Sequence, residues 1–395
     1  MGGPLEGVKV LSFGQALAGP YCSMLLCDLG AEVIKIEEPS KGDLSRGNGP
    51  FIDGISSYFL SVNRGQKSVS LNLRDDRAKK MVFELVKKID IVIENFRPGV
   101  MAKLGLNYEV IREYNPKIIY ASISGFGQQG PYAQKPAFDM IAQGMGGTVS
   151  ITGEPGRAPV RVGFSIGDIG GALFASTAIL AALHEREKSG EGQWIDVAML
   201  DCQVALCENA CARFFATGEI PHPLGSRHPL LTPFQVFRTQ DGYMVLITFY
   251  EEDWQKFCKV AGREDLLSDR RFQSHRDRIS HYDAFEPLMN ELMRTHTTAE
   301  WLALLEPARI MCCPVNNIAQ VVQDRHVQKR RMVLEVEHTQ AGKLKVVGTP
   351  MKFSRTPCRI ERASPDLGEH TVEILSTMLG LSPGEVEELH KKGVM

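Results

Sequence analysis

The sequence predicts an α/β fold built on a parallel sheet, with a smaller α+β domain beside it. Three observations carry this. Short apolar runs alternate with helical patterns through the first half of the chain. The first such pair of runs is joined by a helix, a βαβ unit, which makes neighbouring strands parallel. From about Pro233 the pattern changes to a hairpin followed by helices. A length of 395 residues suggests two domains or more, with ample material for a large core.

The elements follow in order. Val8–Phe13 reads as a short apolar strand, Gly19–Gly30 as a helix ending at glycine, and Ala31–Glu37 as the next strand. Ser68–Leu73, Ile89–Asn95 and Lys117–Ser124 continue the strands. Asp75–Lys88 is an amphipathic helix with an acidic start and a lysine end, as the helix dipole prefers. A long apolar helix follows Asp168, then a turn and strand over Gly190–Leu200 and a helix to about Thr217. Residues 218–229, rich in proline, glycine and histidine, read as a linker. Pro233–Phe249 is a hairpin turning at Asp241-Gly242. Helices follow, one with Thr298 as its N-cap, and the tail holds a strand-like Gly342–Phe353 and two helices.

Composition is ordinary, with 43% hydrophobic and 23% charged residues and a formal net charge of −2. That excludes a disordered chain and carries no nucleic-acid signature. Nine cysteines are scattered without a CxxC pair, and Cys202, Cys207 and Cys211 lack a usual metal spacing, so no metal site is expected. The odd count and the lack of a signal peptide point to a reducing, cytoplasmic setting. The longest apolar run, about Gly170 to Leu183, is shorter than the roughly 20 residues of a membrane span and reads as a buried helix.

Several motifs carry possible chemistry. The first βα turn, FGQALAGPY, sits where a dinucleotide fold cradles phosphate, but it is neither GxGxxG nor a P-loop. Pro20 at the first helical position would leave the remaining N–H groups for an anion. Arg46, near the carboxyl end of a strand, can fork onto phosphate or be ordinary surface. In ENFRPGVMAKLGL, Asn95, Phe96, Arg97 and Lys103 are a set that a nucleotide would use, or a capped loop with Phe96 in the core. Asp139 is most simply a helix-start acid. Gly144, Gly146 and Gly147 either face an oxyanion or make a turn. Asp168, alone among glycines in VGFSIGDIGG, is either an N-cap or a reagent.

Taken together, LAGPYCSMLLCDLGAEVIKIEEP, SVNRGQKSVSLNL, DIVIENFRPGVM, SGFGQQGPYAQKPAFDMIAQ and GDIGG resemble, in this order, the family III coenzyme A transferases. The likeness runs on through TPFQVFRTQDGY, PVNNIAQV and the final GVM, nearly the full length. It implies a Rossmann-like large domain from both chain ends (1–217 and 325–395), a small domain over 230–320, and an interlocked homodimer. It makes Asp168 the catalytic nucleophile on an acyl-CoA, passing CoA to a carboxylic acid through an aspartyl anhydride and an aspartyl-CoA thioester, with no prosthetic group. An ionised carboxylate needs no base to activate it, and the side-chain-free Gly167, Gly170 and Gly171 would leave room for the thioester.

By the same likeness Gln15, Ala16, Leu17, Ala18, Asn95, Phe96, Lys103, Lys135 and Asp139 lie near positions that contact CoA. GSRHPLLTPF stands where formyl-CoA transferases carry a run of glycines, which puts formyl and oxalyl substrates in doubt. Arg157, Arg161, Arg227 and His228 could receive the second carboxylate of a dicarboxylic acid, or be surface. The 2-methylacyl-CoA racemases resemble the chain almost as well, but their histidine is Phe138 here, which carries no proton. A non-catalytic CoA-binding protein is the third alternative.

Overall fold

The computed structural model describes residues 2–395, and the chain divides into two compact units. One comprises residues 2–149, 161–218 and 325–395, the other 150–160 and 219–324.

The first unit is built on six strands: β1 (Lys9–Ser12), β2 (Glu32–Glu37), β3 (Lys67–Ser70), β4 (Ile91–Glu94), β5 (Ile119–Ser124) and β6 (Trp194–Ala198). They pair in parallel throughout, in the order β3-β2-β1-β4-β5-β6. The order reverses between β1 and β4, and ligands of open parallel sheets bind at the carboxyl ends of the strands flanking such a reversal.

Alternation along the strands sends side chains to two cores. Val10, Ile91, Ile93 and Ala121 pack with helices α1 (Ala18–Asp28) and, further along the chain, α5 (Ile166–Ser189). Leu11, Val92 and Tyr120 pack on the other face, with Val82 and Leu85 of α3 (Asp76–Val86). Between α1 and α3 lies the short α2 (Ser57–Val62). Asp139–Met145 forms α4, and α6 (Met199–Leu206) follows β6.

Helix α5 is longer than the apolar run suggested. At 24 residues, with a mean hydropathy of 1.7 over its most apolar window, it could cross a membrane by length and composition alone. Here Ala172, Ala175, Ile179 and Ala182 bury against the sheet.

In the second unit, β7 (Phe234–Arg238), β8 (Tyr243–Ile247) and β9 (Met311–Pro314) make an antiparallel sheet. The hairpin turns at Thr239–Gly242, with Thr239 N–H on Gly242 O at 3.0 Å. Trp254, Phe257, Phe285 and Trp301 fill the core. The helix over Thr298–Leu305 is capped by Thr297, not Thr298. Glu300 stands three residues after Thr297 and returns a bond to its backbone N–H, the reciprocal capping box that decides between adjacent threonines.

Residues 150–160 fold with this unit rather than with the large domain. Val160 N–H returns to Thr152 O at 3.0 Å, and Gly153 O accepts from Gly225 N–H at 2.8 Å. Residues 219–229 join the same unit instead of standing apart as a linker.

The chain then returns to the first unit as a hairpin, β10 (Val333–His338) and β11 (Gly342–Val347). Ile374, Leu375 and Met378 of the helix over Thr371–Leu379, with Val394 and Met395, complete the core under β3 and α3.

Candidate active site

The turns after β1 and β4 meet at the strand-order reversal. Asn95 clamps the first turn from both sides: its Oδ1 accepts from Gln15 N–H at 2.7 Å and its Nδ2 donates to Gln15 O at 2.9 Å. Ala16 is forced into the left-handed region (φ 62°), a conformation that costs a residue with a Cβ. A buried network holds it there. Ala16 N–H donates to Asp43 Oδ1 at 2.9 Å, and the fully buried Lys35 bridges Asp43 Oδ2 (2.7 Å) and Gly14 O (2.6 Å). Burial raises the Asp43 carboxyl, but Lys35 and Ser45 outweigh it and hold the group below its ordinary value.

Helix α1 starts at Ala18, so Pro20 is its third residue rather than its first. No side chain caps this N-terminus.

A cleft of about 310 Å³ opens beside the turn. It brings together Gln15, Phe96 and Lys103 and adds Leu73 and Arg74, which sequence reading missed. Arg74 sits in NLRDDRAKK, where it looks like any helix-flanking charge. Phe96 is set by Glu94, whose buried carboxylate accepts Phe96 N–H at 2.8 Å. Burial pushes Glu94 up to about 7.

Other expected residues lie elsewhere. Arg97 faces a separate small cleft with Glu94, Tyr108 and Trp194. The Lys135 ammonium rests 4.0 Å from the Tyr132 ring centre. Arg46 is already engaged: it forks onto Glu37 at 2.7 and 2.8 Å, donates to Pro365 O, and stacks 3.6 Å over Phe59. Its guanidinium is used inside the fold.

Asp168 lies in the first turn of α5, third residue of the helix and half-buried. It is not the N-cap; that position is Ser165. Asp139 starts α4 and secures the Asp168 turn. Its Oδ1 accepts Gly167 N–H at 2.8 Å and its Oδ2 accepts Gln143 Nε2 at 2.8 Å. Gln143 Oε1 in turn holds Val162 N–H at 3.1 Å, and Gln203 Nε2 holds Ile166 O at 3.2 Å. Asp139 thus positions Asp168 from behind.

Gly167 and Gly146 serve packing, whereas a Cβ on Gly144 would meet open space. A Cβ on Gly167 would come within 2.9 Å of Asp139 Oδ1, and one on Gly146 within 2.3 Å of Gln203 Cβ.

The ionisation of Asp168 differs from expectation. Burial, and then the nearby Asp139, push its carboxyl up to about 7, so at neutral pH only about half is the anion. Tyr58 of α2, unmarked in the sequence, is a further neighbour. Burial, then Asp168, Asp43 and Asp139, push its phenol up to about 12. Tyr58 is therefore a neutral O–H donor within electrostatic reach of both the Asp168 carboxyl and the network under the Ala16 turn. Phe138 caps no helix through its side chain and is 71% exposed. Arg161 donates to Val162 O, while in the second unit Arg227 stacks on Tyr282 and His228 on Phe234. Among the described residues, no three His, Cys, Asp or Glu side chains form a metal-binding group.

Residues 5–371 match CoA-transferase family III. The chain belongs to that family. As a family III CoA-transferase it transfers CoA between acyl-CoA thioesters and carboxylic acids. It is 38% identical to the succinyl-CoA:mesaconate CoA-transferase of Haloarcula marismortui, over 94% of this chain and 96% of that one. It is 36% identical to the succinyl-CoA:glutarate CoA-transferase of Mus musculus, over 99% and 90% respectively. In fold it is similar to the crystal structure of a CAIB/BAIF family protein from Brucella suis (TM-score 0.87, 34% identity, 96% of this chain and all of that one).

Proposed function

We propose that this family III CoA-transferase works through covalent catalysis on Asp168, with succinyl-CoA as donor and a second dicarboxylic acid as acceptor. The supporting observation is Asp168 itself: its carboxyl is half-buried and in no ion pair among the described residues, and its backbone turn is held by the bond from Gly167 N–H to Asp139. Asp43 and Glu37 are saturated with cations and N–H donors.

The chemistry proceeds in balanced steps. An Asp168 oxygen attacks the thioester carbonyl; CoA leaves as thiolate and a mixed anhydride remains. The thiolate attacks the aspartyl carbonyl, releasing the donor acid as carboxylate and leaving an aspartyl-CoA thioester. The acceptor carboxylate attacks that thioester, expelling thiolate and forming a second anhydride. Thiolate attack on the acceptor acyl carbon gives the new acyl-CoA and restores Asp168. Desolvation makes the anion scarcer but less shielded, and the positive end of the α5 dipole favours negative charge beside its first turn.

The donor and acceptor classes rest on the two relatives' names, each pairing succinyl-CoA with a dicarboxylate. The homodimer reading rests on the side chains bordering the site. Met140 and Ile141 of α4 and Leu173 and Phe174 of α5 are exposed in the single chain and form the apolar surface a second copy would cover.

The test is trapping. The protein is incubated with succinyl-CoA and no acceptor, quenched with hydroxylamine, digested and weighed by mass spectrometry. A hydroxamate on Asp168 is expected. A working transferase with Asp168 unmodified, or full activity in Asp168→Ala, would sink the mechanism.

A further inference from the structure

Strand β4 ends in a buried acid that stands outside the cleft beside the first turn. Glu94 is 4% exposed and lines the separate small cleft instead. Its partners are hydrogen-bond donors rather than a cation. Oε2 accepts Phe96 N–H at 2.8 Å. The carboxylate also takes a hydrogen bond from Ser122, whose Oγ accepts Trp194 Nε1–H at 3.0 Å and so keeps its own proton for Glu94.

The other buried acids near the first turn are paired: Asp43 with Lys35, Glu37 with Arg46. A buried carboxylate without a cation is costly, and a glutamine could accept the same N–H with no charge to desolvate. What the carboxylate adds is a charge-assisted bond, stronger than a neutral one. That bond acts on the wall of the cleft. Glu94 fixes the Phe96 backbone, Phe96 lines the cleft with Gln15 and Lys103, and Asn95 between them clamps the Gln15 peptide from both sides.

Several polar groups face the carboxyl. On β5, burial raises the Tyr120 phenol, which stays neutral and donates to Leu106 O at 2.9 Å. On β6, Asp196 adds a like charge, its Oδ2 accepting Gln128 N–H at 2.9 Å. The helix over Tyr108–Tyr114 contributes Tyr108 and Glu109, and the turn after β4 contributes Arg97. Burial above all, against the two hydrogen bonds, leaves Glu94 at about 7, so both charge states occur near neutral pH.

We propose that Glu94 is a positioning residue for CoA binding: as an anion it holds Phe96 and the Asn95-clamped turn in the binding geometry, and loss of its charge loosens that wall and weakens CoA. The proposal rests on the reading of the cleft beside the first turn as the place of the CoA moiety. Isothermal titration calorimetry on the full chain measures CoA binding at pH 5.5, 7.0 and 8.5 for wild type, Glu94→Gln and Phe96→Ala. The readout is the Glu94→Gln dissociation constant divided by the wild-type one, because the titrations of the CoA phosphates and of Asp168 are common to both proteins. This ratio should be near one at pH 5.5 and about fivefold at pH 8.5, the difference between a charged and a neutral acceptor. Thermal midpoints should move the other way. Glu94 is raised in the folded chain, so wild type loses stability as pH climbs through 7, and the amide variant should be the more stable protein at pH 8.5. A merely structural role would lower affinity and stability together at every pH. A ratio constant across pH, or an affinity loss accompanied by a lower thermal midpoint at pH 8.5, would overturn the proposal. Phe96→Ala should weaken CoA at every pH; unchanged binding in that variant would overturn the reading of the cleft, and the proposal with it.

Discussion

Asp168→Asn should abolish transfer and, at alkaline pH, make the protein more stable. In the folded chain the Asp168 carboxyl is raised from 3.8 to about 7, chiefly by burial and then by Asp139. A group whose folded value is raised binds its proton more tightly in the native state, so native stability falls as pH climbs from about 4 through 7 and then levels off. The isosteric amide carries no charge and escapes this cost. Linkage between 3.8 and about 7 gives a stability gain for the variant of about 4 kcal/mol at pH 8, under about 2 at pH 5 and near zero at pH 3. These are upper values, since Asp168 is only half-buried.

The assay is the thermal midpoint of ligand-free wild type and variant across pH 3–9, where the two curves should meet in acid and separate above pH 5. With the anion as nucleophile, as proposed, the same raised value predicts a wild-type kcat/KM that rises with pH to a plateau above about 7. Parallel stability curves at every pH, or a kcat/KM already flat at pH 5, would refute the reasoning.

Further outcomes follow from other contacts. Gly19→Ala would place a Cβ 2.7 Å from Asn95 Oδ1 and 2.8 Å from Gly14 Cα. KM for acyl-CoA should then rise on the order of tenfold or more, because the Gln15 turn loses its clamp; an unchanged KM would remove the turn from the CoA site. Lys35→Met leaves Asp43 buried without its cation and should cost about 3–5 kcal/mol in denaturant unfolding. Arg46→Ala breaks the fork onto Glu37 and the Phe59 stack and should cost roughly 2–3 kcal/mol. Unchanged stability with a sharply raised KM would instead make Arg46 a phosphate ligand. In heavy water, 2-methylacyl-CoA should not exchange its C2 hydrogen, since Phe138 holds no proton; mass spectrometry detecting exchange at turnover rates would restore the racemase alternative.

Much of the scaffold was legible in the sequence, because strand alternation, amphipathic helices and turn residues are local signals. The parallel strands, the Asp241-Gly242 hairpin and the lone acid at the start of a long apolar helix could all be read one segment at a time. The order β3-β2-β1-β4-β5-β6 could not, since pairing partners are chosen by burial across the whole sheet.

The site divides along the same line. Sequence alone marked Asp168, Asn95, Phe96 and Lys103, by residue type and by the motifs around them. Only the tertiary structure showed Arg46 engaged by Glu37, Lys35 buried against Asp43, Arg74 lining the cleft beside the first turn, and Tyr58 within electrostatic reach of Asp168. It alone set the ionisation of Asp168, for a carboxyl's pKa is decided by how much water and how many charges the fold leaves around it, and no local pattern records that.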